Sequence, residues 1–231
     1  MTLLIANGFT QAALADCNPA SPVDDDSVVC DDVTDSTGFD GSAATSLTIT
    51  TSGNAILDES GALDSAIRVS DDNEITIGVD ATITVTEANG FGINAGDNNT
   101  ITNQGTIILN MVDGATAINV GDGNTVINEG TITIAGDNGT GIRGNDANGM
   151  GSLTRPILSN EGMITITGAD GVGIRGNNDN FVVVEASGTI VLDGARGRGI
   201  LIGINTTGIL PAGAVNRGTI TVNTDNSFAI E

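Results

Sequence analysis

The stretch from Val79 to Ile134 decides the fold, because it repeats one short pattern: VDATITV, FGIN, NTITNQGTIIL, TAINV and NTVINEGTITI. A run rich in Thr and Ile ends in N-x-G-T-I. A small residue followed by Ile comes next, and then the run that leads into the next N-x-G-T-I. Self-similarity at a period of about 25 residues is the sequence signature of a solenoid.

Aliphatic residues mark each repeat at two regular positions. Members of the first set are separated by 27, 24, 25, 32, 26 and 30 residues, and each member of the second set follows 10 or 11 residues later. The first set is Ile56, Ile83, Ile107, Ile132, Ile164, Ile190 and Ile220. The second set is Ile67, Ile93, Ile118, Ile142, Ile174, Ile200 and Ile230. A third apolar position precedes the next unit, at Ile77, Ile101, Val126, Leu158, Val184 and Ala214.

Apolar and polar residues alternate within each run, which places the aliphatic side chains on one face of a strand. Gly, Asn, Asp and Thr interrupt every window that could form a helix. Three short strands in about 25 residues therefore predict an all-β, single-stranded parallel β-helix of about seven coils. Its successive anchor residues should lie directly above one another.

Asparagine and glycine recur at fixed places before the first anchor of each unit. The asparagines, four residues before it, are Asn103, Asn128, Asn160 and Asn216; the glycines, two residues before it, are Gly105, Gly130, Gly162, Gly188 and Gly218. Because Gly and Asn tolerate positive φ, we expect them to form the corners between strands. The Asn side chains should also stack into a hydrogen-bonded ladder. A ligand-binding role for these residues is the weaker alternative.

Composition argues against several classes of function. The formal net charge is −22, from 29 acidic residues against seven arginines, which disfavours nucleic acid and anionic membrane surfaces. The chain has no His, so a Ser-His-Asp triad is excluded, and it has no Trp or Tyr on which a sugar could stack. Two G-x-G-x-x-G matches, at 139–144 and 171–176, lack the following helix of a dinucleotide site. No cofactor is expected; calcium at clustered Asp residues is the one alternative left open.

The amino-terminal segment predicts export and a disulfide. Residues 1–15 end in Ala13-Leu14-Ala15, a small-x-small pattern that suits signal peptidase, although an ordinary apolar strand is the alternative. Cys17 and Cys30 are the only cysteines, and we expect them to form a disulfide in an oxidising compartment. The predicted divisions are a signal remnant at 1–15, an acidic cap at 16–45 that carries the disulfide, and the β-helix at 46–231.

Two features near the other end complete the interpretation. Arg143 and Arg175 occupy the same place one coil apart, and we expect Asp137 and Asp170 to pair with them as ordinary surface contacts. No polar cap follows the last anchor, so we expect a truncated β-helix that continues in a longer polypeptide or is covered by a partner.

The order of these motifs resembles the amino-terminal passenger region of a bacterial autotransporter. The resemblance rests on Ala13-Leu14-Ala15, the two cysteines, the acidic segment and the N-x-G-T-I coils. It implies a right-handed β-helix, an extracellular or cell-surface location, and an outer-membrane barrel in the remainder of the polypeptide. It also implies a non-catalytic adhesin or stalk whose partners are surface molecules of a host or neighbouring cell.

Two other functions compete with that interpretation. A polysaccharide-binding or pectate-lyase-like β-helix would need clustered basic residues, and an enzyme of this kind would also need calcium. A self-assembling surface layer or filament is favoured by the unprotected carboxyl-terminal edge.

Overall fold

A computed structural model describes residues 17–31, 34–35, 38–53, 56–58, 64–110, 112–145, 157–177, 180–203 and 213–231. The predicted signal remnant at 1–15 lies outside these residues. Within them every regular element is a β-strand. No helix in this part of the chain is long and apolar enough to cross a membrane.

Twenty-four strands form three parallel sheets of eight strands each. The first sheet contains β1 (Ser27–Asp31), β4 (Thr48–Ser52), β7 (Glu74–Ile77), β10 (Thr100–Asn103), β13 (Thr125–Asn128), β16 (Ile157–Asn160), β19 (Phe181–Val184) and β22 (Gly213–Asn216). The second contains β2 (Thr34–Asp35), β5 (Ile56–Asp58), β8 (Thr82–Val85), β11 (Thr106–Leu109), β14 (Thr131–Ile134), β17 (Met163–Ile166), β20 (Thr189–Leu192) and β23 (Thr219–Val222). The third contains β3 (Phe39–Gly41), β6 (Ser65–Val69), β9 (Phe91–Ala95), β12 (Thr116–Val120), β15 (Thr140–Gly144), β18 (Val172–Gly176), β21 (Arg198–Ile202) and β24 (Phe228–Ile230).

Every strand pairs with the strand three places along the chain, so the polypeptide visits the three sheets in turn and stacks coil upon coil. This confirms the predicted parallel β-helix, whereas its right-handedness stays a prediction. The stack begins earlier than predicted, because β1–β3 fall within the segment 16–45 and already belong to the three sheets.

The core is a set of aliphatic columns that run along the stack. In the third sheet one column is, in register, Phe39, Ile67, Ile93, Ile118, Ile142, Ile174, Ile200 and Ile230. In the second sheet the matching column is Leu57, Ile83, Ile107, Ile132, Ile164, Ile190 and Ile220. Most of these side chains are fully buried. Parallel in-register pairing repeats the same inward position about every 4.8 Å, which is why one isoleucine per coil builds a continuous core.

The prediction for Ile56 was wrong by one residue. Leu57, which is buried, pairs with Ile83, and Ile56 pairs with Thr82. Ala55, Ile56 and Leu57 are all apolar, so alternation could not show which residue faces inward.

Three other predicted positions also differ from the structure. Ile77 and Val184 are buried but lie in register with the corner asparagines, so the column that contains Ile101 and Leu158 runs through Ile75 and Val182 instead. Ile230 is in register with its column but is 48% exposed, because β24 has a neighbouring strand on one side only.

The predicted corner geometry was also wrong. Among the described residues, none of the predicted corner asparagines or glycines has positive φ. Apart from Gly38, one residue before β3, and Gly53, between β4 and β5, the residues with positive φ lie at the other two turns of the coil, two residues before a strand. In the turns before first-sheet strands these residues are Asp25, Ser46, Asp72, Asn98 and Gly123; before third-sheet strands they are Asn89, Gly114, Asn138, Asp170, Arg196 and Asn226.

The corner glycines have a different physical reason. A Cβ at any of the five would lie less than 3.0 Å from a carbonyl oxygen of the preceding coil. The contacted oxygen belongs to Gly105 in the case of Gly130, and to Gly130 in the case of Gly162. The backbone of one coil therefore rests directly on the next, and only glycine leaves room for this.

The corner asparagines form the predicted ladder over three coils. Nδ2 of Asn103 donates to Oδ1 of Asn128 at 2.7 Å, and Nδ2 of Asn128 donates to Oδ1 of Asn160 at 2.7 Å. All three are buried. Asn216 is not part of the ladder, because Val184 occupies the intervening coil and Asn216 is exposed.

A second ladder of buried asparagines lies at the turn before the first sheet. The backbone N–H of Asn73 donates to Oδ1 of Asn99 at 2.7 Å, and that of Asn99 donates to Oδ1 of Asn124 at the same distance. Each of these residues lies two positions before an inward aliphatic residue of its strand. The spacing is therefore a sequence signal for this second ladder.

The amino-terminal end of the stack is closed by a short reversal of the chain. Cys17 and Cys30 form a disulfide, and both are buried. Asn18 pairs in antiparallel fashion with Val29 of β1 through two backbone hydrogen bonds of 2.9 Å. These bonds occupy backbone groups on the free side of β1 that would otherwise be open to another strand.

Candidate ligand-binding face

The outer surface of the third sheet concentrates positive charge on an acidic protein. The residue after each inward isoleucine points outward, and this column runs Asp40, Arg68, Asn94, Asn119, Arg143, Arg175 and Leu201 in register. Arg198 lies on the same sheet, in the column of Thr140 and Val172. We call the surface formed by Arg68, Asn94, Asn119, Arg143, Arg175 and Arg198 the arginine face; it holds four of the seven arginines.

Most of the described arginines have a carboxylate nearby. Arg196, Arg198 and Arg217 form ion pairs with Asp170, Glu231 and Glu185, respectively. Arg68 lies in register with Asp40 of the neighbouring coil, and its positive charge attracts the carboxylate. The pKa of Asp40 is lowered chiefly by its hydrogen bond with Ser42, and the positive charge of Arg68 contributes to the same shift.

Arg143 and Arg175 differ from these four. They lie side by side in β15 and β18, and neither has an ion pair or a hydrogen bond from its side chain within the described residues. Two like charges directly opposite each other in a sheet are destabilising. Within the described residues this pair of positive charges is therefore bound to no carboxylate.

Two buried polar atoms beside this pair also lack partners. Nε of Arg143 and Oδ1 of Asn119 have no hydrogen bond within the described part of the chain. Asn119 is only 9% exposed, and its Nδ2 donates to Oδ1 of Asn94 at 2.9 Å. Unpaired buried polar atoms are uncommon in folded proteins and call for an explanation at the site where they occur.

A shallow groove runs beside Arg175. It has a volume of about 420 Å³ and is lined by Asn138, Thr140, Asp170, Val172, Arg175 and Arg198, among others. This volume lies within the range of small-molecule sites. The lining offers amide and hydroxyl groups, carboxylate and guanidinium groups, and an aliphatic patch.

The pairing predicted for the two aspartates was wrong. Oδ1 of Asp137 accepts a hydrogen bond from the backbone N–H of Ala169 at 2.7 Å. Asp170 pairs with Arg196 through two hydrogen bonds of 2.8 and 2.5 Å, not with Arg175. The bond to Arg196 lowers the pKa of Asp170 and raises the pKa of Arg196.

The acidic turns have a structural use in the described chain. Oδ1 of Asp97 accepts the backbone N–H of Asp122 at 2.7 Å, and Oδ1 of Asp71 accepts that of Asp97 at 2.7 Å. Each of these carboxylates therefore ties one coil to the next. No group of three His, Cys, Asp or Glu residues among the described residues is placed to hold a metal ion.

The G-x-G-x-x-G matches also have a structural explanation. Gly141 and Gly173 lie within β15 and β18, at a position where a Cβ would approach a carbonyl oxygen of the adjacent coil to 2.5 and 2.6 Å. No helix occurs in the described residues around them. These glycines therefore allow close stacking of the third sheet.

The arginine face was only partly visible in the sequence. The repeated G-I-R-G motif indicates Arg143 and Arg175, but it does not include Arg68, Asn94 and Asn119. The usable indication was the residue after each second-set isoleucine, as in Ile67-Arg68 and Ile118-Asn119.

Comparison with protein-family models, with curated proteins and with solved structures found no match to this chain.

Proposed function

We propose that this chain is a non-catalytic β-helical scaffold that works outside the cell by presenting polar outer faces to other molecules. The observation that carries the proposal is the in-register stacking of outward side chains, of which the arginine face is the most distinctive column. A rigid stack repeats each outward group at a fixed spacing, and such extended surfaces are what solenoid proteins use for binding.

The chemistry of the chain supports an extracellular setting. A buried disulfide persists in oxidising compartments and is rare in reducing ones. The net charge of −22 favours solubility and self-repulsion. Together with the order of the sequence motifs, these features favour an adhesin or stalk of the autotransporter passenger type, anchored through a barrel encoded downstream.

Binding of the fluorescently labelled chain to intact bacterial and animal cells tests the proposal. We expect saturable binding that excess unlabelled chain displaces, with no chemical change in the bound material. Failure to bind any cell surface would contradict the binding function. Release of unsaturated uronates from acidic polysaccharides in the presence of calcium would replace it with a lyase activity.

The autotransporter interpretation has a separate test. Translation of the reading frame downstream of this segment should reveal alternating amphipathic strands with aromatic girdles, as in an outer-membrane barrel. A stop codon with no such strands would remove that interpretation and leave the binding scaffold in place.

A further inference from the structure

We propose that Arg143 and Arg175 form a binding site for the carboxylate of a short acidic sugar. This inference names a ligand class for the arginine face and rests on the proposed binding function. It is carried by the contrast between this pair and the other described arginines.

Among the described residues, the lack of a carboxylate partner for these two arginines is informative because the chain is so acidic. With 29 acidic residues, a surface arginine has many candidate partners, and Arg196, Arg198 and Arg217 each have one. Arg143 and Arg175 have none among the described residues, although they stand next to each other. An anionic ligand between them would remove their mutual repulsion, which no described side chain does.

The spacing of the two strands suits a carboxylate. Adjacent parallel strands lie about 4.8 Å apart, so the two guanidinium groups start from neighbouring positions on one face. A guanidinium presents a planar fork of donors that matches the two oxygens of a carboxylate, and such charge-assisted bonds are about twice as strong as neutral ones. Two forks can therefore hold one carboxylate from both sides.

The surroundings fit the rest of a sugar acid. Thr140, Asn138 and the carboxylate of Asp170 line the groove next to Arg175 and can exchange hydrogen bonds with ring hydroxyls. Val172 supplies an aliphatic floor, and its neighbour in register, Arg198, lines the same groove as an ion pair with Glu231. The groove volume of about 420 Å³ holds a ligand of one to a few sugar units.

The overall charge limits the length of the ligand. A long polyanion would extend beyond the arginine face and meet the acidic turns on either side of it. Because charges interact over about 8 Å at physiological salt, a short ligand feels the local positive charge without the repulsion of the whole chain. We therefore expect oligomers of a few units to bind, and their affinity should fall as salt is added.

Titration calorimetry with a uronic-acid trimer tests the site, and the fully methyl-esterified trimer is the matched neutral ligand. Arg175→Gln removes one guanidinium at an exposed position. Arg217→Gln is the matched control, since this arginine is also exposed and pairs with Glu185. We expect the trimer to bind, its affinity to fall at least about tenfold in Arg175→Gln and to stay unchanged in Arg217→Gln, and the ester not to bind.

Each other outcome overturns the inference. Equal binding of the trimer to both variants, or binding of the ester, removes the carboxylate site. Inorganic sulfate that binds as tightly as the trimer, with the same dependence on Arg175, would identify a general oxyanion site and overturn the assignment to a sugar acid. If the chain binds cells but not the trimer, this inference fails alone; if it binds neither, the proposed function fails with it.

Discussion

Replacing Asn128 by Ala should weaken the stack far more than the same change at Asn216. Both residues begin an N-x-G-T-I motif, so the sequence pattern alone does not distinguish them. In the structure Asn128 is fully buried between two ladder neighbours, whereas Asn216 is exposed and separated from the ladder by Val184. The two variants therefore form a matched pair.

The expected magnitude follows from the hydrogen bonds that Asn128 makes. Removing its amide leaves Nδ2 of Asn103 and Oδ1 of Asn160 buried without their present 2.7 Å partner. A buried polar atom that loses its partner costs about 1–3 kcal/mol. Asn160 keeps two longer contacts from its Nδ2, to Gly162 and Thr189, but these do not replace the donor to its oxygen. We expect Asn128→Ala to lower the free energy of unfolding by about 2–6 kcal/mol, and Asn216→Ala by less than about 0.5 kcal/mol.

Urea unfolding followed by far-ultraviolet circular dichroism measures both variants. The midpoint should shift with an unchanged slope, because the surface exposed on unfolding stays the same. A double-mutant cycle with Asn160→Ala should give a coupling energy of about 0.5–3 kcal/mol, since the two residues share a hydrogen bond. If Asn128→Ala and Asn216→Ala agree within 0.5 kcal/mol, the ladder does not stabilise the fold and the reasoning is refuted.

Three further changes test other contacts. Gly130→Ala should cost about 1–3 kcal/mol or more, because a Cβ there would press on a carbonyl oxygen, whereas Gly213→Ala, 3.6 Å from the nearest atom, should be tolerated in the same urea assay. The Asp170–Arg196 pair holds the pKa of Asp170 in the folded chain below 3.8, so the contribution of the pair to stability is present above that pH and is lost as the pH falls through the folded pKa. In Arg196→Gln, NMR titration should show the pKa of Asp170 rising toward 3.8. Reducing the disulfide should cost about 3 kcal/mol in the chain-entropy model, and faster amide exchange should be confined to the first coils, since each coil contacts only its neighbours. Uniformly faster exchange along the stack would contradict that view.

Much of the fold was predictable because each coil of a solenoid has the same short sequence pattern. The second-set isoleucines, from Ile67 to Ile200, lie in one buried column, and each identifies its coil without any long-range information. Ile56 shows where periodicity fails: three apolar residues in a row leave the inward face undetermined, and only pairing with Ile83 through Leu57 resolves it.

The corners show a second limit. The sequence pattern predicts positive φ at Gly130, but the structure requires glycine there because the carbonyl oxygen of Gly105, one coil away, leaves no room for a Cβ. A contact between coils has no local signature that distinguishes it from a turn. Arg196, by contrast, has φ of 58°, a conformation that no residue preference would assign to arginine.

The arginine face required the register of the third sheet. Arg68 and Arg143 are far apart in sequence, and only the pairing of β6, β9, β12 and β15 places them in one column with Asn94 and Asn119. Which arginines lack a carboxylate could not be read from the sequence at all, because the carboxylates are distributed over every turn.

The asparagine column ends at Val184, so the coils on its two sides are joined differently. Beyond it the side-chain links between coils include exposed contacts such as those of Arg217 with Glu185 and Asn223 with Asp193, whereas the Asn128–Asn160 link is buried. Because water competes for exposed polar contacts, a pulling force should separate the coils beyond Asn160 before it separates the coils that buried amides join.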